Sequence, residues 1–192
     1  MDPTCPFAWI TAQWLAEVSA LTGLQVRRRL MSLSVVNEGR ELEEWYRAYN
    51  NSAWRPARVA AALLASPDAA RWPEFYETFG NRRHVLRIRD DDTNLDATVA
   101  ELDLPPALLD AADDPRWDGD LRRRTKAAVE PLHTPGGTPV LHLNGTAFFG
   151  PVLDGIPRGA DAVAVWDALR VLAATPSFAE VKRGRSKRPT TS

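Results

Sequence analysis

The 192-residue sequence is poor in the residues that build cross-links and metal sites, with one cysteine and three histidines. A single cysteine cannot close a disulfide within the chain, so a disulfide-stabilised scaffold is excluded. Because no apolar run reaches 18 residues, a transmembrane helix is excluded as well. The first residues also lack the basic and apolar regions of a secretory signal. We therefore expect a cytoplasmic protein without a membrane partner.

The chain also lacks a strong charge of either sign, since its formal net charge is −1. Basic residues cluster only locally, at 27–29, at 122–124 and in the tail after residue 181. No aromatic or base-reading side chains accompany that tail, so we expect no nucleic-acid partner. Its polar composition without apolar periodicity predicts that residues 179–192 form a basic, disordered tail.

The histidines give no sign of a metal centre. His84, His133 and His142 do not share the short spacing that zinc ligands adopt with one another or with Cys5. Phosphate-binding and serine-nucleophile motifs are absent as well. The sequence therefore predicts no bound metal.

Apolar periodicity outlines an α/β fold around a long helical block. Residues 6–21 have helical spacing, with Pro6 suited to the first turn and Gly23 to the position after the last. Alternation over 24–33 predicts a strand. Residues 40–130 contain helix formers separated by breakers.

Strand character returns after this block. Residues 138–143 and 146–149 flank Asn144-Gly145, a strong hairpin signal, and a last amphipathic helix begins near Asp161. We therefore expect a sheet covered by helices.

Cys5 stands directly before the first predicted helix. Unpaired backbone N–H groups and the positive end of the helix dipole favour a thiolate there, and such sites lower a cysteine pKa to about 3.5–7.5. The polar lead Asp2-Pro3-Thr4 predicts an exposed position rather than a core one. The alternative, an inert buried cysteine, stays open from the residue chemistry alone.

Thr138-Pro139 lies between Gly136-Gly137 and a predicted strand. Proline suits the first residue of a strand because it cannot donate to the ladder. The position makes the Thr138–Pro139 bond a candidate for the cis isomer, although trans bonds are far more frequent.

These two features together resemble a known family. D-P-x-C-P-x-x-W at the head, G-T-P-x-x-H-x-N-G-x-x-F-F-G-P and a closing I-P-R-G are similar to the DsbA-like branch of the thioredoxin fold. Within that branch the closest group is that of the mycothiol-dependent nitroreductases and FrnE-like proteins. The resemblance covers Asp2 to about Arg183. It implies a thioredoxin-like domain (1–39 and 131–178) with a helical insertion (40–130).

The resemblance also implies a site. Cys5 corresponds to the attacking thiol of a C-x-x-C motif, and Thr138-Pro139 to the cis-proline loop that faces it. Pro6, Phe7, Ala8, Thr138 and Pro139 would then line the groove for a small-molecule substrate or thiol. Asn37 matches a lining position in the relatives. His84 is a further candidate, with a surface histidine as the simpler interpretation, and Trp9 borders the site or belongs to the core.

The sequence departs from this family in two places. The family motif is C-P-W-C, whereas Ala8 stands here in the position of the second cysteine. A mixed disulfide on Cys5 must therefore be resolved by an external thiol, such as mycothiol. The relatives also have a strand ahead of this motif, so we expect roughly eight to fifteen further upstream residues in the native protein.

Three functions follow as hypotheses. The first is a thiol-dependent oxidoreductase that works through the single nucleophile Cys5. The second resembles the 2-hydroxychromene-2-carboxylate isomerases and kappa-class glutathione transferases, in which a bound thiol is activated at the helix N-terminus. The third is a non-catalytic binding relative. The sequence leaves a homodimer open in each case.

Overall fold

The computed structural model describes residues 1–134, 136–184 and 189–192, and most of these are helical. Short 3-10 turns and one π-helical turn, Asn81–Val85, join the longer helices. The α-helices are α1 Pro6–Thr22, α2 Leu33–Val36, α3 Glu44–Ser52, α4 Trp54–Ala65, α5 Trp72–Gly80, α6 Asp91–Glu101, α7 Asp118–Val129 and α8 Gly159–Ala173. One hairpin of strands β1 Val140–Leu143 and β2 Thr146–Phe149 lies between α7 and α8.

Helix α1 follows its sequence signals closely. Pro6 occupies the first turn, where its missing N–H group is not needed. Gly23 ends the helix with a φ of 76°, a left-handed conformation that glycine adopts without a steric penalty. Its N–H group donates to the Ser19 carbonyl at 2.9 Å. The predicted helix over 6–21 is thus confirmed.

Helix α5 supplies the aromatic centre of the core. Phe75 and Phe79 are fully buried one turn apart, and their rings stack with centroids 6.1 Å apart. Trp72 and Tyr76 lie on the same helix and are buried too. Each such ring contributes about 1.5–3 kcal/mol through burial. Helix α5 thereby forms the aromatic part of a core cluster that also includes residues of α1, α4 and α6.

Helix α8 packs against α1 through two tryptophans. The Trp14 indole N–H donates to the Ala162 carbonyl at 2.9 Å, and the Trp14 and Trp166 rings lie 6.3 Å apart. Both rings are buried. These contacts hold α8 against α1.

The hairpin predicted around Asn144-Gly145 is confirmed. Val140 pairs with Phe149 and Leu143 with Thr146. Asn144 and Gly145 have φ values of 50° and 85°, the positive values that a type I′ turn requires at both central residues. Among the described residues these two strands form the one sheet.

The predicted strand over 24–33 is wrong. Residues 24–31 form neither helix nor strand, and Leu33–Val36 form the short helix α2. Leu24 and Val26 do pack on the core, which explains the alternation in the sequence. The backbone bonds to residue 1 instead, since the Met31 N–H donates to the Met1 carbonyl at 3.1 Å. The Met1 amino group donates in turn to the Arg29 carbonyl. A strand needs a continuous ladder of such bonds, and these two bonds with residue 1 do not form one.

The last residues differ from the predicted solvated tail. Thr190 and Thr191 form hydrogen bonds with the body of the protein, whereas residues 185–188 of that tail lie outside the described residues. No helix in the described part of the chain is long and apolar enough to cross a membrane.

Candidate active site

Cys5 is the N-cap residue of α1, as the sequence predicts. Its backbone is extended, with φ −78° and ψ 118°, and its carbonyl accepts the Trp9 N–H at 3.0 Å. Its sulfur lies 3.7 Å from the Thr138 carbonyl oxygen, within reach of an S–H···O hydrogen bond. Two residues that are 133 positions apart thus meet at the start of the helix.

The loop that faces Cys5 has a cis peptide bond at Thr138–Pro139. Both residues are buried, and the Pro139 carbonyl accepts the Gly150 N–H at 2.9 Å. The Thr138 hydroxyl has no hydrogen-bond partner in the described part of the chain. Thr138 therefore contacts the Cys5 thiol through its carbonyl, and among the described residues its buried hydroxyl stays free for another partner.

A second cis bond, Gly150–Pro151, lies at the other end of the hairpin. The Pro151 carbonyl accepts a hydrogen bond from the buried Thr11 hydroxyl of α1 at 2.9 Å. Sequence reasoning missed this contact. The G-P dipeptide directly after β2 was the available signal.

The polar residues before Cys5 are buried, contrary to our prediction of an exposed lead. The Asp2 carboxylate accepts bonds from the Thr4 N–H at 2.8 Å, the Thr4 hydroxyl at 2.7 Å and the Leu33 N–H at 2.6 Å. The Tyr49 hydroxyl donates to the Thr4 carbonyl at 2.8 Å. Polar groups tolerate burial when they bond to one another in this way. Composition alone therefore gave the wrong environment for the thiol.

Burial reverses the predicted activation of the thiol. Cys5 is only 3% exposed, and desolvation of the thiolate raises its pKa from an ordinary 9.0 to about 12. The Ala8 and Phe7 N–H groups at the helix N-terminus lower the pKa, and the nearby Asp2 carboxylate raises it, but both effects are smaller. The thiol is therefore protonated at neutral pH in this conformation.

Trp9 and His84 form the wall behind the Cys5 loop. Their rings stack with centroids 5.6 Å apart, and both residues are buried. The His84 Nε2–H donates to the Pro3 carbonyl at 3.1 Å. Burial lowers the pKa of His84 from 6.5 to about 4, so the ring is neutral at pH 7. The expected surface histidine is thus wrong, because this side chain supports the loop from within.

Gly80, at the end of α5, makes room for the Trp9 ring. A Cβ atom at this position would lie 2.3 Å from Cζ3 of Trp9, closer than atoms can approach. Glycine is thus the residue that this packing requires. A glycine followed by Asn81 gave no sign of this contact in the sequence.

The other predicted site residues have separate surroundings. Pro6 and Phe7 are half-buried in the first turn of α1, and Ala8 is fully buried in the core. The Asn37 side-chain amide donates to the Tyr46 hydroxyl at 3.1 Å and to Asn50 Oδ1 at 3.0 Å, so it links α2 to α3. These residues stay predictions as substrate contacts.

No group of three or more histidine, cysteine or acidic side chains in the described ranges has an arrangement that could hold a metal ion. The chemistry that this arrangement offers is that of one sulfur. A thiol can exchange with a disulfide or reduce an acceptor together with a second thiol, provided that it becomes accessible and ionised.

A single thiol at a helix N-terminus, opposed by a cis-prolyl loop, defines a protein with a candidate thiol-redox site. The chain belongs to the Rv2466c-like family, whose model is described as mycothiol-dependent nitroreductase Rv2466c and matches residues 4–183. It is also similar to the uncharacterized protein Rv2286c of Mycobacterium tuberculosis (strain ATCC 25618 / H37Rv). The two are 31% identical over 189 residues, which cover 96% of this chain and 80% of that protein.

Proposed function

We propose that this protein is a mycothiol-dependent oxidoreductase whose single nucleophile is Cys5. The family description supports the class of reaction and the thiol. The observation that carries the assignment to Cys5 is the 3.7 Å approach of its sulfur to the Thr138 carbonyl at the start of α1. Within the chain no other sulfhydryl can serve, because Cys5 is its one cysteine.

The proposed chemistry uses two external thiols in turn. Cys5 and one mycothiol molecule lose two electrons and two protons as a mixed disulfide forms between them, and the acceptor takes up both. A nitro group would become a nitroso group and release water. A second mycothiol then attacks the mixed disulfide, which returns the proton-bearing Cys5 thiol and releases oxidised mycothiol. Mycothiol is thus a consumed substrate in this scheme.

Ala8 makes the external thiol necessary. A C-x-x-C enzyme closes its own disulfide, whereas this chain has no sulfur at the fourth position of the motif. In our proposal the mechanism is therefore a monothiol one, and the resolving thiol is a mycothiol molecule from solution.

The residues around the sulfur suit a polar thiol partner. The Thr138 hydroxyl is buried without a partner among the described residues, and the Thr138 carbonyl accepts from the Cys5 thiol. A ligand with hydroxyl or amide groups could form a hydrogen bond with the Thr138 hydroxyl. It could also replace the Cys5 thiol as the donor to the Thr138 carbonyl. Pro6, Phe7, Pro139 and Asn37 stay proposed substrate contacts, with no metal involved.

The reaction also needs a conformational step. At 3% exposure the sulfur cannot meet a second molecule, and its pKa of about 12 leaves little thiolate at neutral pH. Hydration of the site would remove the largest cause of the raised pKa and leave the helix N–H groups to stabilise the thiolate. We therefore include in the proposal a conformational change that exposes the Cys5 sulfur.

The fold assignment is part of the same proposal. We infer a thioredoxin-like domain of DsbA type, formed by 1–39 and 131–178 and interrupted by a helical insertion at 40–130. A cysteine-capped helix, a cis-prolyl loop before a hairpin and a helix packed on α1 support it.

The decisive experiment combines mass spectrometry with turnover. The protein is incubated with mycothiol and a mild oxidant, and we expect one mycothiol adduct on Cys5 that excess mycothiol removes. Formation of oxidised mycothiol in the presence of a nitroaromatic acceptor is measured in parallel. Cys5→Ser, which keeps the size of the side chain, should show neither behaviour. Full turnover by Cys5→Ser would refute the assignment.

The structure and the Cys5→Ser variant also bear on the two alternative functions. An isomerase-like enzyme would place a bound thiol at the helix N-terminus, but the Phe7 and Ala8 N–H groups already interact with the Cys5 sulfur. Because the Cys5 sulfur already occupies these N–H groups, the isomerase-like function is disfavoured. Burial of Cys5 favours a non-catalytic binding relative instead. That function predicts mycothiol binding by calorimetry in both wild type and Cys5→Ser, without an adduct in either.

A further inference from the structure

The end of the chain is bonded to three separate elements beside the candidate site. The Thr190 N–H donates to the Asp154 carbonyl at 2.7 Å. The Thr191 hydroxyl donates to the His84 carbonyl at 2.6 Å, and the Thr191 carbonyl accepts the Trp9 indole N–H at 3.0 Å. One pair of residues thereby joins the segment before α8, the π-helical turn and α1.

Two of these partners support the loop that carries the thiol. The Trp9 backbone N–H bonds to the Cys5 carbonyl, and the His84 ring bonds to the Pro3 carbonyl. Trp9 is 3% exposed and His84 is 6% exposed with the tail in place. Thr191 therefore holds the outer side of a wall whose inner side contacts residues 3 and 5.

The same residues form part of an open cleft. A cavity of about 540 Å³ lies between α1 and the end of α5, and Thr191 and Ser192 contribute to its lining together with Trp9 and Arg158. The family match ends at residue 183. These contacts are therefore supplied by a part of the chain that the family pattern does not include.

We propose that residues 189–192 act as an intramolecular strap that closes the end of this cleft and restrains the Trp9–His84 wall. Release of the strap leaves the Trp9 indole N–H and the His84 carbonyl without their partner, so water replaces it at both. The wall then loosens, and access to Cys5 increases. The inference concerns accessibility of the thiol and goes beyond the proposed oxidoreductase activity, since it holds whether or not Cys5 turns over a substrate.

The test compares the full chain with three variants: a deletion of residues 189–192, Thr191→Val and Thr190→Val. The last is a matched control, because no hydrogen bond of the Thr190 hydroxyl occurs among the described residues. Hydrogen exchange of the Trp9 indole N–H is followed by ¹⁵N NMR and assigned with Trp9→Phe. The second readout is the rate of Cys5 alkylation by iodoacetamide, measured by intact mass.

We expect exchange and alkylation to be fastest in the deletion variant. Thr191→Val should raise the exchange rate about fivefold, since it removes one hydrogen bond, and Thr190→Val should match wild type. Equal rates in Thr191→Val and Thr190→Val would overturn the proposal. Circular dichroism confirms folding, and Thr191→Val alone decides the matter if the deletion variant is unfolded. Exchange in the full chain that accelerates on dilution would also overturn it, because the strap would then come from a second copy.

Discussion

Helices α1 and α6 each begin with an ionisable N-cap residue that can become an anion, and the pKa values of these two residues shift in opposite directions. Asp90 caps α6 at the surface, where its carboxylate accepts the Thr93 N–H at 2.7 Å. That hydrogen bond lowers its pKa and so favours the anion. Cys5 caps α1 in the core, and its pKa rises to about 12, which favours the neutral thiol.

The difference follows from the size of the competing effects. A helix N-terminus stabilises a negative charge by about 0.3–1 kcal/mol, and by up to ~2 kcal/mol in partly buried geometries. Full burial can shift a pKa by up to about 3–5 units, each equivalent to about 1.36 kcal/mol. Desolvation is therefore the larger effect at Cys5. A cysteine at a helix N-terminus is activated only if water also reaches it.

Replacing the buried cap by a carboxylate should give the largest effect. Cys5→Asp puts a second carboxylate beside the buried Asp2, and we expect it to reduce the free energy of unfolding by about 3–5 kcal/mol at pH 7. Burial raises the folded-state pKa of such a group, so stability should recover as pH falls. Urea denaturation at pH 7 and pH 5 measures both effects. Cys5→Ser is the neutral control, and equal stability of the two variants at pH 7 would show that the cap is hydrated.

The titration of Cys5 itself sharpens the comparison. At pH 8 we expect alkylation on the order of a thousandfold slower than for an unstructured cysteine peptide, since little thiolate is present. The folded-state pKa lies above the unfolded one, so this group stabilises the protein below pH 9 and its contribution disappears between pH 9.0 and about 12. The difference in unfolding free energy between wild type and Cys5→Ser isolates it from tyrosine titration. An alkylation midpoint near that of free cysteine would contradict the buried cap.

His84 extends the comparison to a cation. Its folded-state pKa of about 4 lies below the ordinary 6.5, so the neutral ring stabilises the folded state above pH 6.5 and that stability is lost as pH falls toward 4. The loss amounts to about 3 kcal/mol at pH 4. Chemical denaturation between pH 7 and pH 4 should show a weaker pH dependence in His84→Gln than in wild type. His133→Asn, at an exposed histidine, is the control for the loss of a histidine side chain, and identical pH profiles for wild type and both variants would refute the assignment.

The exposed cap should give the smallest change. Asp90→Ala removes the acceptor of the Thr93 N–H and should lower the melting temperature less than any change above, while Asp90→Asn keeps the acceptor and most of the stability. Differential scanning calorimetry detects the ranking. A loss for Asp90→Ala as large as that for Cys5→Asp would mean that exposure does not separate the two caps.

Local signals predicted the fold where the local structure is decided by neighbouring residues. Pro6 and Gly23 bounded α1, and Asn144-Gly145 defined the hairpin, because turn and cap conformations depend on few residues. The alternation over 24–33 failed for the opposite reason. A strand depends on a partner elsewhere in the chain, and the described residues supply one only at residue 1.

The proximity of Cys5 and Thr138 was predicted, whereas the environment of the thiol was not. Cys5 and Thr138 were singled out, and the structure brings them together. The sequence could not show that Asp2 and Thr4 satisfy each other in the interior, so their polarity suggested water around the thiol. His84 and Thr191 were misjudged likewise, because their partners are backbone carbonyls, which every residue type carries.

Gly80 gives this site a mechanical property. A Cβ at this position would stand 2.3 Å from Cζ3 of Trp9, so the Trp9 ring of α1 packs directly on the α5 backbone. The distance between α1, which carries the thiol, and α5 is thus set at this point by the thickness of the Trp9 indole ring. A movement that exposes the Cys5 sulfur must therefore shift Trp9 and α5 together, because their contact leaves no space for a closer approach.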